Sequence, residues 1–158
     1  MTTGKGSQPR LVLVCGLPAS GKTTLARELA ESYRAVRFNC DEWMPALGID
    51  IFDEDFRARL VLEFWGLAQQ LLALGTSVVL EWGFWVRSER DEKREIGRAL
   101  GVAVELRFLD VSYDELVQRV ADRRAAGGIP ITESLMEHYR GFFQPPTDDE
   151  LALFDPPL

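Results

Sequence analysis

The feature that most constrains this chain is the segment GLPASGKT at residues 16–23, which separates a strand pattern from a helical pattern. The segment matches the pattern G-x-x-x-x-G-K-[ST]. Residues 11–15 before it are continuously apolar and rich in valine, which is typical of a strand buried on both faces. Residues 21–33 after it place their apolar side chains on one side, as in an amphipathic helix. A strand, a glycine-rich turn and a helix in this order predict an α/β fold.

The same alternation of strand and helix continues along the chain. Strands are predicted at 36–39, 77–80 and 102–109, and helices at 56–74, at 88–100, from Ser112, from Thr132 to Gly141 and from Thr147. A loop that contains Pro45 and Gly48 is expected after the second strand. Regular alternation indicates a three-layer fold, in which helices flank a parallel sheet and ligands bind beyond the carboxyl ends of the strands.

Length and composition predict one domain of a soluble protein. The chain has 158 residues and a net charge of −7, and we expect a single domain at 10–158 behind a disordered tail at 1–9. No apolar stretch reaches the ~20 residues that a membrane-spanning helix requires, and the N-terminus lacks the apolar core of a signal peptide. Together with free thiols expected at Cys15 and Cys40, these features predict a cytoplasmic location. The negative charge disfavours extended contact with nucleic acid or with anionic membranes.

The residues of the glycine-rich segment are suited to holding nucleotide phosphates. Glycines let successive backbone N–H groups converge on phosphate oxygens, and the following helix adds the positive end of its dipole. The Lys22 ammonium would contact the β and γ phosphates, and the Thr23 hydroxyl would bind Mg²⁺. The candidate nucleotide contacts are Gly16, Leu17, Pro18, Ala19, Ser20, Gly21, Lys22, Thr23 and Thr24. Packing or capping is the alternative role of Thr24.

Beyond this segment, the chain resembles a group of kinases among the AAA-like P-loop NTPases. The group includes polynucleotide 5′-kinase domains, zeta toxins, gluconate kinases and chloramphenicol phosphotransferase. The resemblance rests on the phosphate loop, an acidic residue after the second strand and an arginine-bearing helix, so it covers nearly the whole chain. It implies a nucleotide-kinase-like fold with a short helical lid, here at about 119–140, and ATP with Mg²⁺ as cofactors. The choice of ATP over GTP rests on the resemblance alone.

Two acidic residues follow predicted strands. Asp41 lies just after the second strand, where the resemblance implies the general base that takes a proton from the acceptor hydroxyl, and a helix or turn cap is its alternative role. Glu81 ends the third strand, where an acidic side chain can hold Mg²⁺ through water. The related kinases more often carry aspartate there, so metal binding, acceptor contact and a structural role all stay open for Glu81.

The helix predicted from Ser112 carries several arginines ahead of a glycine pair. Arg119 and Arg123 are four residues apart and share one face of this helix. By resemblance to small-molecule kinases, the helix belongs to the lid. Arg119 and Arg123 are then expected to stabilise the transferring phosphoryl group, and Arg123 also to bind nucleotide. A solvated helix face paired with nearby carboxylates is the alternative.

Aromatic residues cluster directly after the third strand. Three rings in four residues, at positions 82, 84 and 85, predict an apolar wall for the acceptor. Trp43, beside the predicted base, is expected to form a second wall. Arg87 is expected to contact the acceptor or a phosphate. The alternative for the aromatic residues is packing beneath a loop, and the alternative for the arginine is an ordinary solvated side chain. The predicted acceptor residues are Asp41, Trp43, Glu81, Trp82, Phe84 and Arg87.

Three functions are compatible with these residues. The first is transfer of the γ phosphoryl group of ATP to a hydroxyl of a small molecule, such as an antibiotic, a nucleoside or a sugar. The second is a polynucleotide 5′-hydroxyl kinase, which would need a basic channel that the net charge of −7 does not favour. The third is a nucleotide-dependent switch or binding module that hydrolyses ATP slowly and has no acceptor. The identity of the acceptor and the oligomeric state have no signature in the sequence.

Overall fold

The computed structural model describes residues 7–158, so most of the predicted tail at 1–9 lies outside the described residues, and residues 7–9 form neither helix nor strand. The strands are β1 (Arg10–Cys15), β2 (Val36–Phe38), β3 (Val78–Gly83) and β4 (Ala103–Phe108). The helices are α1 (Lys22–Ser32), α2 (Cys40–Ala46), α3 (Glu54–Ala73), α4 (Arg87–Ala99), α5 (Tyr113–Ala125), α6 (Glu133–Phe142) and α7 (Asp148–Leu151).

The four strands form one parallel sheet in the order β2-β3-β1-β4. β1 lies between β3 and β4 and is buried along its whole length. Because all strands run in the same direction, the segments that leave β1, β2 and β3 meet at one edge of the sheet. The predicted α/β fold of the P-loop NTPase type is therefore confirmed.

Alternating side chains of β1 hold the three layers together. Leu11 and Leu13 face the main apolar cluster, which includes Phe64 of α3. Val12 and Val14 face the opposite side and pack against α1. Each of these fully buried aliphatic side chains contributes roughly 1.5–3 kcal/mol of transfer free energy. Both faces of the sheet are therefore covered by helices, as the continuous apolar pattern of the strand predicts.

A third apolar cluster joins the phosphate loop to the region predicted as a lid. Leu17 and Ala19 of the loop pack with Leu116 and Val120 of α5 and with Met136 of α6. The two helices are thus held directly against the loop by buried side chains. The connection between them runs through residues 126–132 and contains the predicted glycine pair.

The predicted helix caps and the predicted free cysteines are both present in the structure. The side chains of Ser112, Thr132 and Thr147 each accept a hydrogen bond from the backbone N–H three residues further on, which confirms the predicted caps. Cys15 and Cys40 are free and buried, as predicted, and burial raises their thiol pKa to about 12 and about 11. No helix within residues 7–158 has both the length and the apolar character needed to cross a membrane.

Two local predictions are wrong. Helix α2 occupies the segment expected to be a loop, because Asn39 caps it by accepting a hydrogen bond from the Glu42 backbone N–H at 3.0 Å, and Pro45 lies only in its last turn. Helix α4 begins at Arg87 after Val86 and has no side-chain cap, whereas the sequence pattern predicts a capped start at residue 88. The first correction matters for the site, because α2 carries Asp41 in its first turn.

A buried ion pair connects the end of β3 with the C-terminal segment. The side chains of Arg90 and Glu150 are 0% and 1% exposed. Arg90 Nε and Nη2 donate hydrogen bonds to the two Glu150 carboxylate oxygens at 2.6 and 2.9 Å. Arg90 also donates to the backbone carbonyls of Phe84 at 2.8 Å and of Gln144 at 2.9 Å. One guanidinium therefore holds together the turn after β3, the segment after α6 and helix α7.

Candidate active site

The phosphate loop forms a concave backbone surface at the carboxyl end of β1. Ala19 and Gly21 have φ angles of 66° and 96°, and left-handed residues in such a loop direct successive N–H groups towards a bound anion. A Cβ atom on Gly16 would lie 2.5 Å from Ser20 Oγ and 3.2 Å from Ser20 Cβ, so a larger residue would force Ser20 to move. The Gly16 N–H donates to the Gly83 carbonyl at 3.1 Å. Helix α1 starts directly after the loop and adds the positive end of its dipole.

Lys22 lies within this loop. Its Nζ donates a hydrogen bond to the Leu17 carbonyl at 2.8 Å. Burial lowers the pKa of Lys22 from 10.5 to about 8, and the charges of Asp41 and Glu81 oppose this shift. The positive charge of Arg123 lowers the same pKa further. Asp41, Glu81 and Arg123 are therefore close enough for their charges to act on the Lys22 ammonium.

The two predicted metal-binding residues are in direct contact. Thr23 Oγ1 donates a hydrogen bond to Glu81 Oε1 at 3.1 Å, and the same carboxylate oxygen accepts from Asn39 Nδ2. Arg37 Nη1 lies 3.2 Å from Glu81 Oε1. Glu81 Oε2 is buried and has no hydrogen-bond partner within residues 7–158. Burial raises the pKa of Glu81, and the Arg37 charge and the Thr23 hydrogen bond act against the rise.

These oxygens fit a hard divalent cation beside the phosphate loop. Mg²⁺ binds oxygen ligands and usually takes one or two protein groups together with phosphates and water. The Thr23 hydroxyl and the unpaired Glu81 Oε2 are groups of that kind. Of the residues that the structure describes, no three His, Cys, Asp or Glu side chains are grouped to hold a metal ion.

Asp41 lies across from the phosphate loop, on α2. Its Oδ1 accepts a hydrogen bond from Arg57 Nη2 at 2.8 Å. The same Nη2 donates to the Ile51 carbonyl at 2.9 Å, so Arg57 is fixed to the backbone as well as to the carboxylate. The Asp41 side chain is 53% exposed, which leaves it accessible to a bound molecule.

One cavity of about 520 Å³ connects the phosphate loop with Asp41. The sequence-predicted residues that line it are Pro18, Ala19, Gly21, Lys22, Thr23, Thr24, Asp41, Glu81, Trp82, Trp85 and Arg123. The phosphate loop and the predicted acceptor base therefore share one continuous space at the carboxyl ends of the strands. This is the position in which open α/β sheets bind their ligands.

Comparison with known proteins places the chain in a family. The model of the AAA domain family matches residues 11–146, which is most of the chain. The chain belongs to this AAA domain family. A search of curated proteins gave no match to this AAA domain.

Solved structures of kinases have the same fold as the AAA domain. A protein of Chloroflexus aurantiacus J-10-fl that has been assigned as a kinase is 26% identical, with a TM-score of 0.70 over 89% of this chain and 80% of that one. A gluconokinase of Sinorhizobium meliloti 1021 is 24% identical, with a TM-score of 0.61 over 89% and 78% of the two chains. A protein of the Pnkp1/Rnl/Hen1 RNA repair complex is 20% identical and has a TM-score of 0.73 over 90% of this chain and 46% of that one. The AAA domain thus has the P-loop fold of these kinases, which supports a phosphotransferase activity.

Several residues predicted for the site of the AAA domain do not line the cavity. The Phe84 side chain is 1% exposed and lies in the main apolar cluster, where it packs against Trp82 with ring centroids 5.1 Å apart. Trp43 packs edge-on against Phe64 at 5.2 Å. Arg87 begins α4 and pairs with Asp91 at 3.4 Å. The predicted acceptor contacts of Phe84, Trp43 and Arg87 are therefore not supported by their positions.

Parts of the loop and of the lid act on the cavity only indirectly. Arg119 donates to the Ala19 carbonyl at 3.1 Å and to Glu115 at 2.7 Å, so it contacts the loop backbone and does not line the cavity. Leu17 packs beneath the loop. Gly16 and Ser20 shape the loop by their close approach. We therefore regard these residues of the AAA domain as supports of the phosphate loop.

The structure adds residues that sequence reasoning missed. Arg57, Phe52 and Tyr139 all line the cavity. Arg57 is sixteen positions from Asp41 and sits in the first turns of a long amphipathic helix, where an arginine resembles an ordinary solvated side chain. Tyr139 lies within the predicted lid, but its spacing does not show that it faces the cavity. No local signal marks these three side chains.

The lowered pKa of Lys22 predicts a pH dependence of nucleotide binding. Contact with phosphate requires the charged ammonium, so affinity for ADP should be level below pH 8 and fall by up to about tenfold per pH unit between about 8 and 10.5. Over the same interval the ligand-free protein should gain stability, since its folded state releases this proton before the unfolded state does. Titration calorimetry from pH 7 to 10 measures the first effect and thermal unfolding the second.

Replacing Lys22 by arginine is the matched control for this pH dependence. Arginine stays charged throughout the interval, so Lys22→Arg should bind ADP with an affinity that does not decline between pH 8 and 10. A wild-type affinity that is constant up to pH 9.5 would contradict the lowered pKa.

Proposed function

We propose that this AAA domain transfers the γ phosphoryl group of ATP to a hydroxyl of a small molecule, with Mg²⁺ bound and with Asp41 as the general base. The observation that carries the proposal is the one cavity that contains both Asp41 and the Lys22–Thr23 end of the phosphate loop. A half-exposed carboxylate there would repel phosphates, whereas it is suited to orienting and deprotonating a hydroxyl. A gluconokinase and a sugar kinase among the structures of the same fold support a small-molecule acceptor.

Asp41 would act through the carboxylate oxygen that Arg57 does not hold. The acceptor oxygen forms a bond to the γ phosphorus while the bond from that phosphorus to the β–γ bridging oxygen breaks. ADP leaves, and the proton of the acceptor hydroxyl passes to Asp41. The Arg57 hydrogen bond at 2.8 Å fixes the orientation of the carboxylate. Mg²⁺ held by Thr23 and Glu81 would neutralise charge on the phosphates.

A polynucleotide acceptor is less compatible with the cationic groups of the cavity. These are Lys22, Arg57 and Arg123. Arg57 is paired with Asp41, and the charges of the other two act on each other near the phosphate loop. Binding of a nucleic acid backbone requires a row of cations along the strand. A protein of an RNA repair complex has the same fold at 20% identity, so the preference for a small molecule depends on the charges of the cavity rather than on the fold.

The experiment that tests the proposed function follows labelled γ phosphate from ATP. One reaction contains a small-molecule extract free of nucleic acid, and a parallel reaction contains a 5′-hydroxyl oligonucleotide, each at low and at high salt. We expect label in the extract, with little dependence on salt, and a labelled product whose mass identifies the acceptor. Label on the oligonucleotide that declines steeply with salt would contradict a small-molecule acceptor. Release of free phosphate alone in both reactions would contradict the kinase function itself.

Arg123 should affect transfer more than nucleotide binding. It lines the cavity from α5, where it would stabilise charge on the transferring group. Replacing Arg123 by glutamine should lower the transfer rate by about 10²–10³-fold, as removal of one such donor typically does, with a smaller change in ADP affinity. Single-turnover transfer and ADP titration measure the two effects.

The neighbouring Arg124 provides the control on the same helix. Its side chain donates to the Ile131 carbonyl at 3.0 Å and does not line the cavity. Arg124→Gln should therefore transfer at nearly the wild-type rate. If both variants lost the same fraction of the transfer rate, the loss would come from any change to an arginine of this helix. That result would refute a specific role for Arg123.

A further inference from the structure

The part of the cavity around Asp41, which we call the acceptor half, is rich in aromatic side chains. We define it by Phe52, Trp82, Trp85 and Tyr139 together with Asp41 and Arg57. Asn39, Glu54 and Glu81 are further polar residues that line the same cavity. The nature of these rings therefore limits which alcohol the acceptor half can bind.

Both tryptophans have already used their only hydrogen-bond donor. Trp82 Nε1 donates to Glu89 at 2.9 Å, and Trp85 Nε1 donates to the Gly16 carbonyl at 2.9 Å. Tryptophan has no other polar group. These two side chains therefore present only apolar ring surface to the cavity, as does Phe52.

Tyr139 is both an aromatic and a polar residue of the acceptor half. Its ring lies against Trp85, with ring centroids 4.9 Å apart and an angle of 46° between the ring planes. Burial raises the pKa of Tyr139, and the charges of Glu54, Arg57 and Asp41 also act on its hydroxyl. Tyr139 therefore lines the same cavity as the Asp41–Arg57 pair, and its ring extends the apolar surface of Trp85.

We propose that the acceptor is an alcohol with a flat apolar body, such as an aromatic ring, and with a hydrogen-bond-accepting group close to its hydroxyl. This inference rests on the proposed kinase function. The hydroxyl would meet Asp41, the accepting group would meet Arg57 and Tyr139, and the body would lie between Phe52 and the tryptophans. A sugar or another polyol would place several hydroxyls against rings that offer no hydrogen bond, and each unpaired hydroxyl weakens binding.

The test compares two diols that differ by one ring. Binding of 3-phenoxy-1,2-propanediol and of glycerol is measured by titration calorimetry with ADP and Mg²⁺ present, beside gluconate and a 5′-hydroxyl trinucleotide. We expect the phenoxy diol to bind at least about tenfold more tightly than glycerol, from the apolar area that the ring buries. It should also bind more tightly than gluconate and the trinucleotide.

Two exposed phenylalanines provide the variant and its control. Phe52 is 38% exposed and lines the cavity, whereas Phe142 is 58% exposed and does not. Neither change to serine removes a core side chain, so both variants should fold. Phe52→Ser should weaken binding of the phenoxy diol by about fivefold to tenfold, and Phe142→Ser should leave the affinity unchanged.

The outcomes separate this inference from the proposed function. Equal or tighter binding of gluconate or the trinucleotide would overturn the apolar acceptor, and so would equal effects of the two serine variants. If labelled phosphate from ATP then reached gluconate, the kinase function would stand without the apolar acceptor. If the phenoxy diol bound in a Phe52-dependent manner but no alcohol received phosphate, the proposed function would fail, and the apolar ligand preference would be that of a binding site.

Discussion

Replacing Asp41 by asparagine is expected to lower phosphoryl transfer by about 10²–10⁴-fold, the usual contribution of a general base. The amide keeps the shape of the side chain and can still accept the Arg57 hydrogen bond, but it cannot take the acceptor proton. Because the side chain is 53% exposed, the change should not unfold the protein. Affinity for ADP should stay near that of the wild type. Single-turnover transfer and ADP titration on the same preparation measure both quantities.

Asp55 supplies the control for this substitution. It lies in the first turn of α3 and does not line the cavity. Asp55→Asn removes the same charge close by and should change transfer by less than about threefold, since an exposed charge contributes little. Transfer by Asp41→Asn within threefold of the wild-type rate would remove Asp41 from the role of base. Glu81 would then be the acidic residue of the cavity to test next.

The largest effect on stability is expected from Glu150. Replacing it by glutamine leaves the Arg90 guanidinium buried without its carboxylate, a change that typically costs about 3–5 kcal/mol. For a domain of this size, that loss corresponds to a decrease of at least about 6 °C in melting temperature. Thermal and urea unfolding of Glu150→Gln measure it. The turn after β3 should be affected as well, because Arg90 also holds the Phe84 carbonyl at 2.8 Å.

An exposed ion pair gives the contrast. The side chains of Glu115 and Arg119 are 54% and 40% exposed and pair at 2.7 Å, so Glu115→Gln should cost less than about 1 kcal/mol. The double variant Arg90→Met/Glu150→Gln should lose less stability than the sum of the single variants, since it no longer contains an unpaired buried charge. A loss of under 1 kcal/mol for Glu150→Gln would contradict the view of this pair as a connection between three segments.

Much of the fold was predictable because the sequence signals are local. The phosphate loop needs glycine at two close positions, and the caps at Ser112, Thr132 and Thr147 depend on a side chain and a backbone N–H three residues apart. Helix α2 is not predicted, because Pro45 indicates a loop. Asn39 and Glu42 have the spacing of a helix cap, which indicates the opposite. The error therefore came from a competing local signal.

The acceptor half was less predictable because it is assembled from distant segments. Phe84 and Trp85 are neighbours in the sequence, yet only Trp85 lines the cavity, since Phe84 packs in the main apolar cluster. Arg57 and Tyr139 come from two different helices and meet near Asp41 only in the folded chain. The spacing of residues within one helix or strand does not indicate which residues of other elements lie beside them. The phosphate end, by contrast, comes from one continuous segment.

The apolar cluster that holds α5 and α6 against the phosphate loop has a consequence for substrate binding. α5 brings Arg123 to the phosphate end of the cavity, and α6 brings Tyr139 to the acceptor half. Leu116, Val120 and Met136 pack in one cluster, so the two helices form a single unit. Any movement of that unit on nucleotide binding would therefore also move the wall of the acceptor half. If nucleotide changes the affinity for a ligand bound there, thermodynamic reciprocity requires that ligand to change the affinity for nucleotide by the same factor.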